Sequence, residues 1–263
     1  MPPILERTLR VLGVYKAYEE YLWRQIRNSQ MPGHIGVILD GNRRWARENL
    51  LPVWIGHKKG AEKVQTLLDW CLDLNVRTIT IYVFSMENFQ RPPEEITTIM
   101  KLAEEKIRTL LADVKIHQKR VRVKAIGRIH LLPQVLQDLI AETEKSTENY
   151  AEHFLNIAIA YGGRAEIVDA TRWITKAVTE GRLRPEDIDE KLIEDHLYTS
   201  HLPKSDPDLI IRTSGEERLS GFLLWQSAYS ELYFLDVYWP DLRKIDLWRA
   251  VRIYQKRKRR FGH

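Results

Sequence analysis

The sequence predicts a single α/β domain built around a mostly parallel sheet of about six strands. Short apolar runs alternate with helix-sized amphipathic segments along most of the 263 residues, which is typical of βαβ units. Hydrophobic residues make up 44% and charged residues 29% of the chain, as in ordinary globular domains. We found no internal repeat, low-complexity segment or Gly/Ser-rich linker to mark a domain boundary. We therefore expect one domain over residues 31–263, preceded by a helical segment over residues 1–30.

The segment before the predicted domain has the pattern of an amphipathic helix. Arginines lie between apolar residues that recur at helical spacing, namely Leu5, Leu9, Leu12, Tyr15, Tyr18, Leu22 and Ile26. This apolar face predicts either packing on the core or contact with a membrane surface.

Five apolar runs predict buried strands, at residues 34–39, 76–84, 121–126, 154–160 and 209–211. Parallel strands are joined by right-handed crossovers, so helices should cover both faces of the sheet.

One of these helices is predicted from Glu94 to about His117. Its apolar stripe consists of Ile96, Ile99, Ala103, Ile107, Leu110 and Val114. The stripe is either ordinary core or the wall of a hydrophobic tunnel. In a tunnel, each five-carbon unit of a hydrocarbon ligand would gain about 3 to 4 kcal/mol by burial, at ~0.8 kcal/mol per methylene-sized group.

Polar residues follow four of the predicted strands. They are Asp40, Gly41, Asn42, Arg43 and Arg44 after the first run; Ser85, Asn88 and Arg91 after the second; and, after the two later runs, Gly162, Gly163, Arg164, Arg212, Thr213 and Ser214. The carboxyl ends of parallel strands meet at one edge of the sheet, so these groups should converge there.

The chemistry of this edge favours a polyanionic ligand. Arginine forks match phosphate oxygens, and glycines at helix starts offer backbone N–H groups to an anion. Asp40 among arginines is either an ion-pair partner or a ligand for Mg²⁺, which often lies between a carboxylate and substrate phosphates. A diphosphate would account for both signs of charge.

Several enzyme classes are excluded by missing motifs. The chain has no GxxxxGK[ST], no GxGxxG after a strand, and no HExxH or CxxC pattern, which argues against a Rossmann dehydrogenase or a P-loop kinase. It also has no Asp-Asp pair, so it lacks the DDxxD signature of the all-helical trans-prenyltransferases.

The cysteine content and hydropathy predict a cytoplasmic protein. The single Cys71 cannot form an intramolecular disulfide or a thiolate metal cluster. No apolar run approaches the roughly 20 residues of a membrane-spanning helix, and charges interrupt the N-terminus where a signal peptide would be apolar.

The C-terminal end is strongly basic. From Arg243 onward it carries nine Lys and Arg residues against one acidic residue, Asp246. Such a tail is compatible with a solvated helix end, or with contact to nucleic acid, an anionic membrane or a phosphorylated substrate.

Six ordered sequence blocks resemble the cis-prenyltransferases, the family of undecaprenyl and dehydrodolichyl diphosphate synthases. The resemblance runs from about Met31 to Gly262. The blocks are HIGVILDGNRRWA from His34, GHKKG from Gly56, YVFSMENFQRP from Tyr82, YGGR from Tyr161, DLIIRTSGEERLSGFLLWQSAYSELYF from Asp208 and RRFG from Arg259.

The resemblance implies a reaction and three catalytic or metal-binding positions. The reaction is the Mg²⁺-dependent, sequential cis-condensation of isopentenyl diphosphate onto an allylic diphosphate primer. Its long polyprenyl diphosphate product would be a precursor of a glycosyl carrier lipid. Asp40 matches the essential aspartate that positions the metal, and Asn88 the residue assigned to proton removal. Glu231 matches a second metal-associated carboxylate, which the partner subunit supplies in some family structures.

The resemblance also implies the substrate-binding residues. They are Gly41, Asn42, Arg43, Arg44, Trp45 and His57 for the allylic diphosphate; Ser85, Met86, Glu87, Phe89 and Arg91 in the loop that positions the reacting ends; Arg212, Arg218, Leu219 and Ser220 for isopentenyl diphosphate; and Arg260 and Gly262 in the tail. In family dimers this R-x-G tail reaches the neighbouring active site, so a homodimer is expected.

Three departures from the family pattern refine the prediction. Val53 stands where many members carry an arginine, so one allylic phosphate contact is missing or replaced. Arg43 and Glu217, in place of a glycine and a histidine, look like archaeal or eukaryotic members. Archaeal relatives often extend geranylgeranyl diphosphate rather than farnesyl diphosphate, which favours the longer primer.

Two other functions are compatible with parts of this sequence. A non-catalytic partner subunit of a heteromeric synthase would keep the fold and lack the aspartate and the loop residues, whereas Asp40, Asn42, Arg44, Ser85 and Asn88 are all present. A nucleic-acid-binding protein would show affinity with steep salt dependence. We expect no nucleic-acid partner, and we expect any membrane contact to be peripheral and to occur through the lipid product.

Overall fold

A six-stranded, fully parallel sheet forms the centre of the protein. The computed structural model describes residues 14–257, and the strand order is β3-β4-β2-β1-β5-β6. The strands are β1 (His34–Ile38), β2 (Thr78–Ser85), β3 (Val121–Ile126), β4 (His153–Tyr161), β5 (Leu209–Arg212) and β6 (Glu231–Phe234).

Helices connect the strands and cover the sheet. The α-helices are α1 (Val14–Ile26), α2 (Asn42–Glu48), α3 (Val53–Asp73), α4 (Pro93–Leu111), α5 (Val114–Gln118), α6 (Gln134–Thr147), α7 (Gly163–Thr179), α8 (Glu190–Glu194) and α9 (Lys244–Lys256). Short 3₁₀ turns lie at Met86–Gln90, Ile129–Leu131, Pro185–Asp187 and Trp239–Asp241.

The two faces of the sheet carry different side chains because residues alternate along each strand. On β1, Ile35 and Val37 join the main core beneath the helices, whereas Gly36 faces Phe222 on the other side. A methyl group at Gly36 would come within 2.9 Å of the Phe222 ring. The second face therefore closes tightly over the segment that follows β5.

The strand order creates a topological switch point beside β1. This strand lies between β2 and β5, so the connections leaving β1 and β5 diverge at their carboxyl ends. Open parallel sheets bind ligands in the crevice formed at such a point.

The predicted fold class and strand count are confirmed, and the five predicted strands match β1 to β5 within about two residues at each end. The short strand β6 was not predicted, because its four residues are only half-buried and lack a long apolar run. The predicted helix from Glu94 to His117 is interrupted. Asp113 caps α5 by accepting from the backbone N–H of Lys115 (2.8 Å), and Val114 is exposed rather than part of the apolar stripe.

The N-terminal helix packs on the core through its described part. Leu22 and Ile26 of α1 are fully buried in the main core cluster, beside Trp248 of α9. The predicted positions Leu5, Leu9 and Leu12 lie outside the described residues. Within residues 14–257, no helix is long and apolar enough to cross a membrane.

Candidate active site

The turn after β1 brings Asp40 to the carboxyl edge of the sheet. Thr213, which follows β5, holds this turn from both sides: its hydroxyl accepts from the backbone N–H of Asp40 (3.0 Å) and donates to the Asp40 carbonyl (2.6 Å). Gly41 comes next with φ +108°, and a Cβ there would lie 2.7 Å from the Tyr238 ring. Glycine suits this backbone and this spacing, and it lets α2 begin at Asn42, two residues after Asp40.

The Asp40 carboxylate is held ionised by arginines. Its Oδ2 accepts a hydrogen bond from Arg212 (2.7 Å) and lies 3.4 Å from a guanidinium nitrogen of Arg44. Burial alone would raise the pKa of Asp40, but Arg212, Ser214 and Arg44 together outweigh it and hold the pKa below its usual value. The residue is therefore a negative charge at neutral pH.

A ring of alternating charges continues from Asp40 around the mouth of the site. Arg44 donates to Ser214 (2.6 Å) and to Glu216 (2.9 Å), and Glu216 also accepts from Arg218. Arg212 donates to Ser220 (2.8 Å) and to the backbone carbonyl of Arg218. The loop after β5 is thereby tied to the start of α2.

This loop has an unusual backbone. Ser214, Ser220 and Leu223 are non-glycine residues with φ of +80°, +48° and +44°. Such conformations persist only where surrounding contacts enforce them, and they cluster at functional sites.

A second charged cluster is centred on Glu95, and its members Arg43, His57 and Arg91 line the same cavity as Asp40. Oε1 of Glu95 accepts from Arg91 (3.1 Å), pairs with Nε2 of His57 (3.0 Å) and lies 3.6 Å from Nε of Arg43. Burial lowers the pKa of His57 below its usual value, although Glu95 opposes this shift. Three nitrogen-bearing side chains from α2, α3 and the loop before α4 thus converge on one carboxylate.

The loop after β2 completes the rim. Asn88 accepts from the backbone N–H of Ser85 (3.0 Å) through its amide oxygen, and Phe89 packs edge-on against Phe84 with ring centroids 4.9 Å apart. The register of β2 against β4 shifts on both sides of Phe84, and such an irregularity changes the direction of the side chains at the end of the strand. These contacts fix the positions of Ser85 and Asn88 at the mouth.

Below the charged rim a cavity of about 810 Å³ extends between the sheet, α3, α4 and α6. Its polar end includes Asp40, His57, Asn88 and Arg212. Its walls are mostly apolar and include Val64, Ile81, Val83, Ile99, Leu102, Ala103, Ile107, Leu110, Ala125, Ile140, Ile157 and Ile159. The cavity suits a ligand with an anionic head and a long hydrocarbon tail.

Comparisons with known proteins identify the family. A family sequence model described as "Putative undecaprenyl diphosphate synthase" matches residues 38–262. A tritrans,polycis-undecaprenyl-diphosphate synthase (geranylgeranyl-diphosphate specific) from Methanopyrus kandleri is 52% identical over 261 residues, covering 98% of this chain and 96% of that protein. A protein of the same name from Methanocaldococcus jannaschii is 53% identical, covering 95% of this chain and 89% of that protein. The chain belongs to the undecaprenyl diphosphate synthase family.

It is therefore a cis-prenyltransferase, and its similarity to archaeal members is confirmed. A crystal structure of lavandulyl diphosphate synthase from Lavandula x intermedia, in complex with dimethylallyl diphosphate, superposes with a TM-score of 0.86. That chain is 36% identical, and the match covers 89% of this chain and 99% of that one. The relatives are enzymes, which favours catalysis over the alternative of a non-catalytic partner subunit.

Most predicted site residues of this cis-prenyltransferase line one cavity. They are Asp40, Gly41, Asn42, Arg43, Arg44, His57, Ser85, Asn88, Arg91, Arg212, Arg218 and Ser220. Asn42 also has a packing role: its side chain lies against Gly60 of α3, where a Cβ would come within 2.3 Å of Asn42 Oδ1. The two glycines of GHKKG thus let α2 approach α3 closely.

Other predicted positions lie outside the cavity of the described chain. They are Trp45, Met86, Glu87, Phe89, Leu219 and Glu231. Met86 packs near Gly162, and Leu219 packs against a smaller core cluster that includes Tyr82 and Phe222, so both support the site rather than line it. Arg260 and Gly262 fall beyond residue 257 and lie outside the described residues.

Glu231 lies far from Asp40 within one chain. It begins β6 opposite Leu209 and Ile35, whereas Asp40 follows β1 five residues further along. At about 3.3 Å per residue, the separation along the strands is roughly 16 Å. Its carboxylate accepts from Arg257 instead.

Sequence reasoning missed Glu95 and Glu216. Both are acidic residues in a site predicted to bind an anion, so composition argued against them. A signal was nevertheless present, because Glu95 lies four residues after Arg91 and an i,i+4 ion pair is favourable at the start of a helix.

Proposed function

We propose that this cis-prenyltransferase adds isopentenyl diphosphate units sequentially, in cis, to geranylgeranyl diphosphate and forms a long polyprenyl diphosphate. The observation that carries the proposal is the ring of arginines at the mouth of an apolar cavity of about 810 Å³. The choice of primer is supported by archaeal relatives about half identical to this chain, whose names specify geranylgeranyl diphosphate. Farnesyl diphosphate is the alternative primer. The product would be a precursor of a glycosyl carrier lipid, made in the cytoplasm and passed to a membrane.

The two diphosphates would bind on opposite sides of Asp40. On one side, Arg43, Arg44 and His57 would hold the allylic diphosphate, together with Arg91, while its tail enters the cavity. On the other, Arg212 and Ser220 would hold isopentenyl diphosphate together with Arg218, since guanidinium forks match phosphate oxygens. Holding both substrates makes the reaction effectively unimolecular.

The reaction needs charge stabilisation and removal of one proton. The allylic C–O bond breaks and its electron pair leaves with the diphosphate, which the arginines stabilise more strongly in the transition state than in the ground state. The double bond of isopentenyl diphosphate attacks the allylic carbon, and the resulting cation loses a proton to the departing diphosphate as the new double bond forms. Asn88, oriented by the Ser85 backbone N–H, would lie beside the carbon that loses it.

The residues present fit a Mg²⁺ ion that arrives with the substrate. Within residues 14–257, no group of three or more His, Cys, Asp or Glu side chains could hold a metal. Asp40 is ionised, and Mg²⁺ commonly binds through one or two carboxylates plus substrate phosphates. When bound, the ion would neutralise charge on the departing diphosphate. Asp40 would hold it, with Glu231 as the second carboxylate.

The position of Glu231 leads us to propose a homodimer. The carboxylate is at the amino end of β6, so Glu231 of the partner subunit would have to reach the metal. The basic tail, with Arg260 and Gly262, would add phosphate contacts in trans.

Deleting residues 259–263 should reduce turnover far more than thermal stability. Full activity of the truncated enzyme would contradict this role for the tail.

Incorporation of labelled isopentenyl diphosphate with Mg²⁺ tests the reaction and the primer together. Dimethylallyl, geranyl, farnesyl and geranylgeranyl diphosphates are compared with the wild type and Asp40→Ala. We expect polymer mainly from geranylgeranyl diphosphate, and a loss of at least ~100-fold in the variant, because a major electrostatic group is removed. Failure of every primer, with correctly folded protein, would refute the proposal.

A further inference from the structure

Glu216 joins two arginines that come from different parts of the chain. One carboxylate oxygen accepts from Arg44 on α2 (2.9 Å), and the other accepts from Arg218 in the loop after β5. Glu216 is half-buried and lines the mouth of the cavity. A carboxylate therefore occupies, between two guanidinium groups, the kind of position that a phosphate would take.

The proposed function assigns the two arginines to different substrates, Arg44 to the allylic diphosphate and Arg218 to isopentenyl diphosphate. Arg44 lies 3.4 Å from the carboxylate of Asp40 and donates to Ser214. The backbone carbonyl of Arg218 accepts from Arg212, which in turn binds Ser220. Arg212 also donates to Asp40, so the contacts close into a circuit. It runs from Asp40 through Arg44, Glu216, Arg218 and Arg212 back to Asp40.

The circuit has a physical reason to contain an acid at this point. Two guanidinium groups that both face a diphosphate site repel each other, and a carboxylate between them offsets that repulsion. Each guanidinium has five N–H donors, so an arginine bound to Glu216 retains donors for a phosphate. Glu216 can thus orient both arginines without blocking them.

We propose that Glu216 is a positioning residue that couples the two diphosphate subsites of this enzyme. The inference rests on the assignment of the subsites in the proposed function. A diphosphate that draws Arg218 toward itself also moves the carboxylate that holds Arg44, so occupancy of one subsite changes the other. Such a linkage is reciprocal in binding free energy.

The first test is Glu216→Gln, which keeps the size of the side chain and removes its charge. We expect kcat to fall by at least ~10-fold, because charge-assisted hydrogen bonds to both arginines are lost. The affinity for inorganic pyrophosphate should not decrease, because a neutral glutamine competes for the two arginines less strongly than the glutamate does. Glu216→Asp should recover part of kcat. The matched control is Glu94→Gln, an exposed acid in the first turn of α4, which should leave kcat unchanged.

The second test measures coupling directly. Arg44→Lys and Arg218→Lys are made singly and together, in the parent enzyme and in the Glu216→Gln background. The inference is supported if the two arginine substitutions have non-additive effects on kcat/KM in the wild-type enzyme and additive effects in the Glu216→Gln variant. Additive effects in both would overturn it, as would a kcat of Glu216→Gln within ~3-fold of wild type, or weaker pyrophosphate binding accompanied by a lower melting temperature. Wild type that makes no polymer would instead refute the proposed function.

Discussion

At the scale of single residues, Glu95 shows how an acid can serve a site for anions. The carboxylate is only 11% exposed, and three nitrogen-bearing side chains from separate segments meet at one of its oxygens. Without it, Arg43 and Arg91 would repel each other and lose a common anchor. Orientation of the allylic subsite therefore depends on a residue that would not touch the diphosphate.

We expect Glu95→Gln to raise the KM for the allylic primer by about 10-fold, because the charge that orients Arg43 and Arg91 is lost. The KM for isopentenyl diphosphate should change much less. Steady-state kinetics with each substrate varied in turn measures both values, and Glu94→Gln serves as the control. Equal rises in both KM values would contradict a role confined to the allylic side.

His34 is a buried histidine that links stability to pH. Its Nε2 pairs with Thr80 (2.8 Å), and burial lowers the pKa of His34 to about 4 from a usual value near 6.5. The unfolded chain therefore binds a proton at a higher pH than the native state does. The contribution of neutral His34 to the free energy of unfolding should be fully present above about pH 7. It should decline as the pH falls through the pKa of the unfolded chain toward the native pKa of about 4.

The expected loss from His34 alone is about 2 kcal/mol between pH 8 and pH 5. Urea denaturation at the two pH values measures the change. His34→Asn should be less stable at pH 8 yet should lose less stability on acidification than the wild type. An identical pH dependence in the two proteins would show that His34 is not the group responsible.

At the scale of secondary-structure elements, α2 ends in a conformation that its sequence does not favour. Leu50 adopts φ +56°, and the backbone N–H groups of Leu50 and Leu51 donate to the carbonyls of Arg47 (3.1 Å) and Ala46 (2.8 Å). This is the Schellman arrangement, in which the position of Leu50 is usually glycine. The Leu50 side chain is 94% exposed, so it gains little burial in return.

Leu50→Gly should stabilise the protein by about 0.5 to 1 kcal/mol, because relief of left-handed strain exceeds the extra entropy of glycine in the unfolded chain. The urea midpoint measures this change. As a control, Val168→Gly on an exposed position inside α7 should destabilise by a similar amount. Destabilisation by both variants would mean that Leu50 makes contacts that its exposure does not indicate.

At the scale of the whole molecule, the parallel sheet separates polar and apolar chemistry within one cavity. The carboxyl ends of β1, β2 and β5 supply the charged rim, and the face of the sheet beneath α4 and α6 supplies the hydrocarbon-lined part. A growing chain would therefore move away from the charged rim as it lengthens. The depth of the apolar part should limit the length of the product.

Ala103→Phe should shorten the product, because Ala103 on α4 lines the cavity and a phenyl ring would fill part of it. Chromatography of the dephosphorylated prenols measures the chain length. Ala112→Phe at the exposed end of the same helix is the control and should leave the length unchanged. An unaltered distribution with Ala103→Phe would show that the chain takes another path.

The sequence by itself determined the fold class and predicted a site most of whose residues line one cavity. Apolar runs mark the buried parallel strands. Because the carboxyl ends of parallel strands meet at one edge of the sheet, the residues at the ends of β1, β2 and β5 should lie together, as found for Asp40, Ser85 and Arg212. These inferences succeed because they depend on local periodicity and on the common direction of the strands. The sequence blocks also identified the family.

Tertiary structure alone decided which charged groups from distant segments are paired. Glu95 and Glu216 are separated in sequence from Arg43 and Arg44, and only the folded chain shows that each carboxylate holds arginines from two segments. The edge strand β6 and the distance between Glu231 and Asp40 likewise depend on long-range pairing. Pairing of this kind depends on how helices and loops pack across the sheet, and no local sequence pattern specifies it.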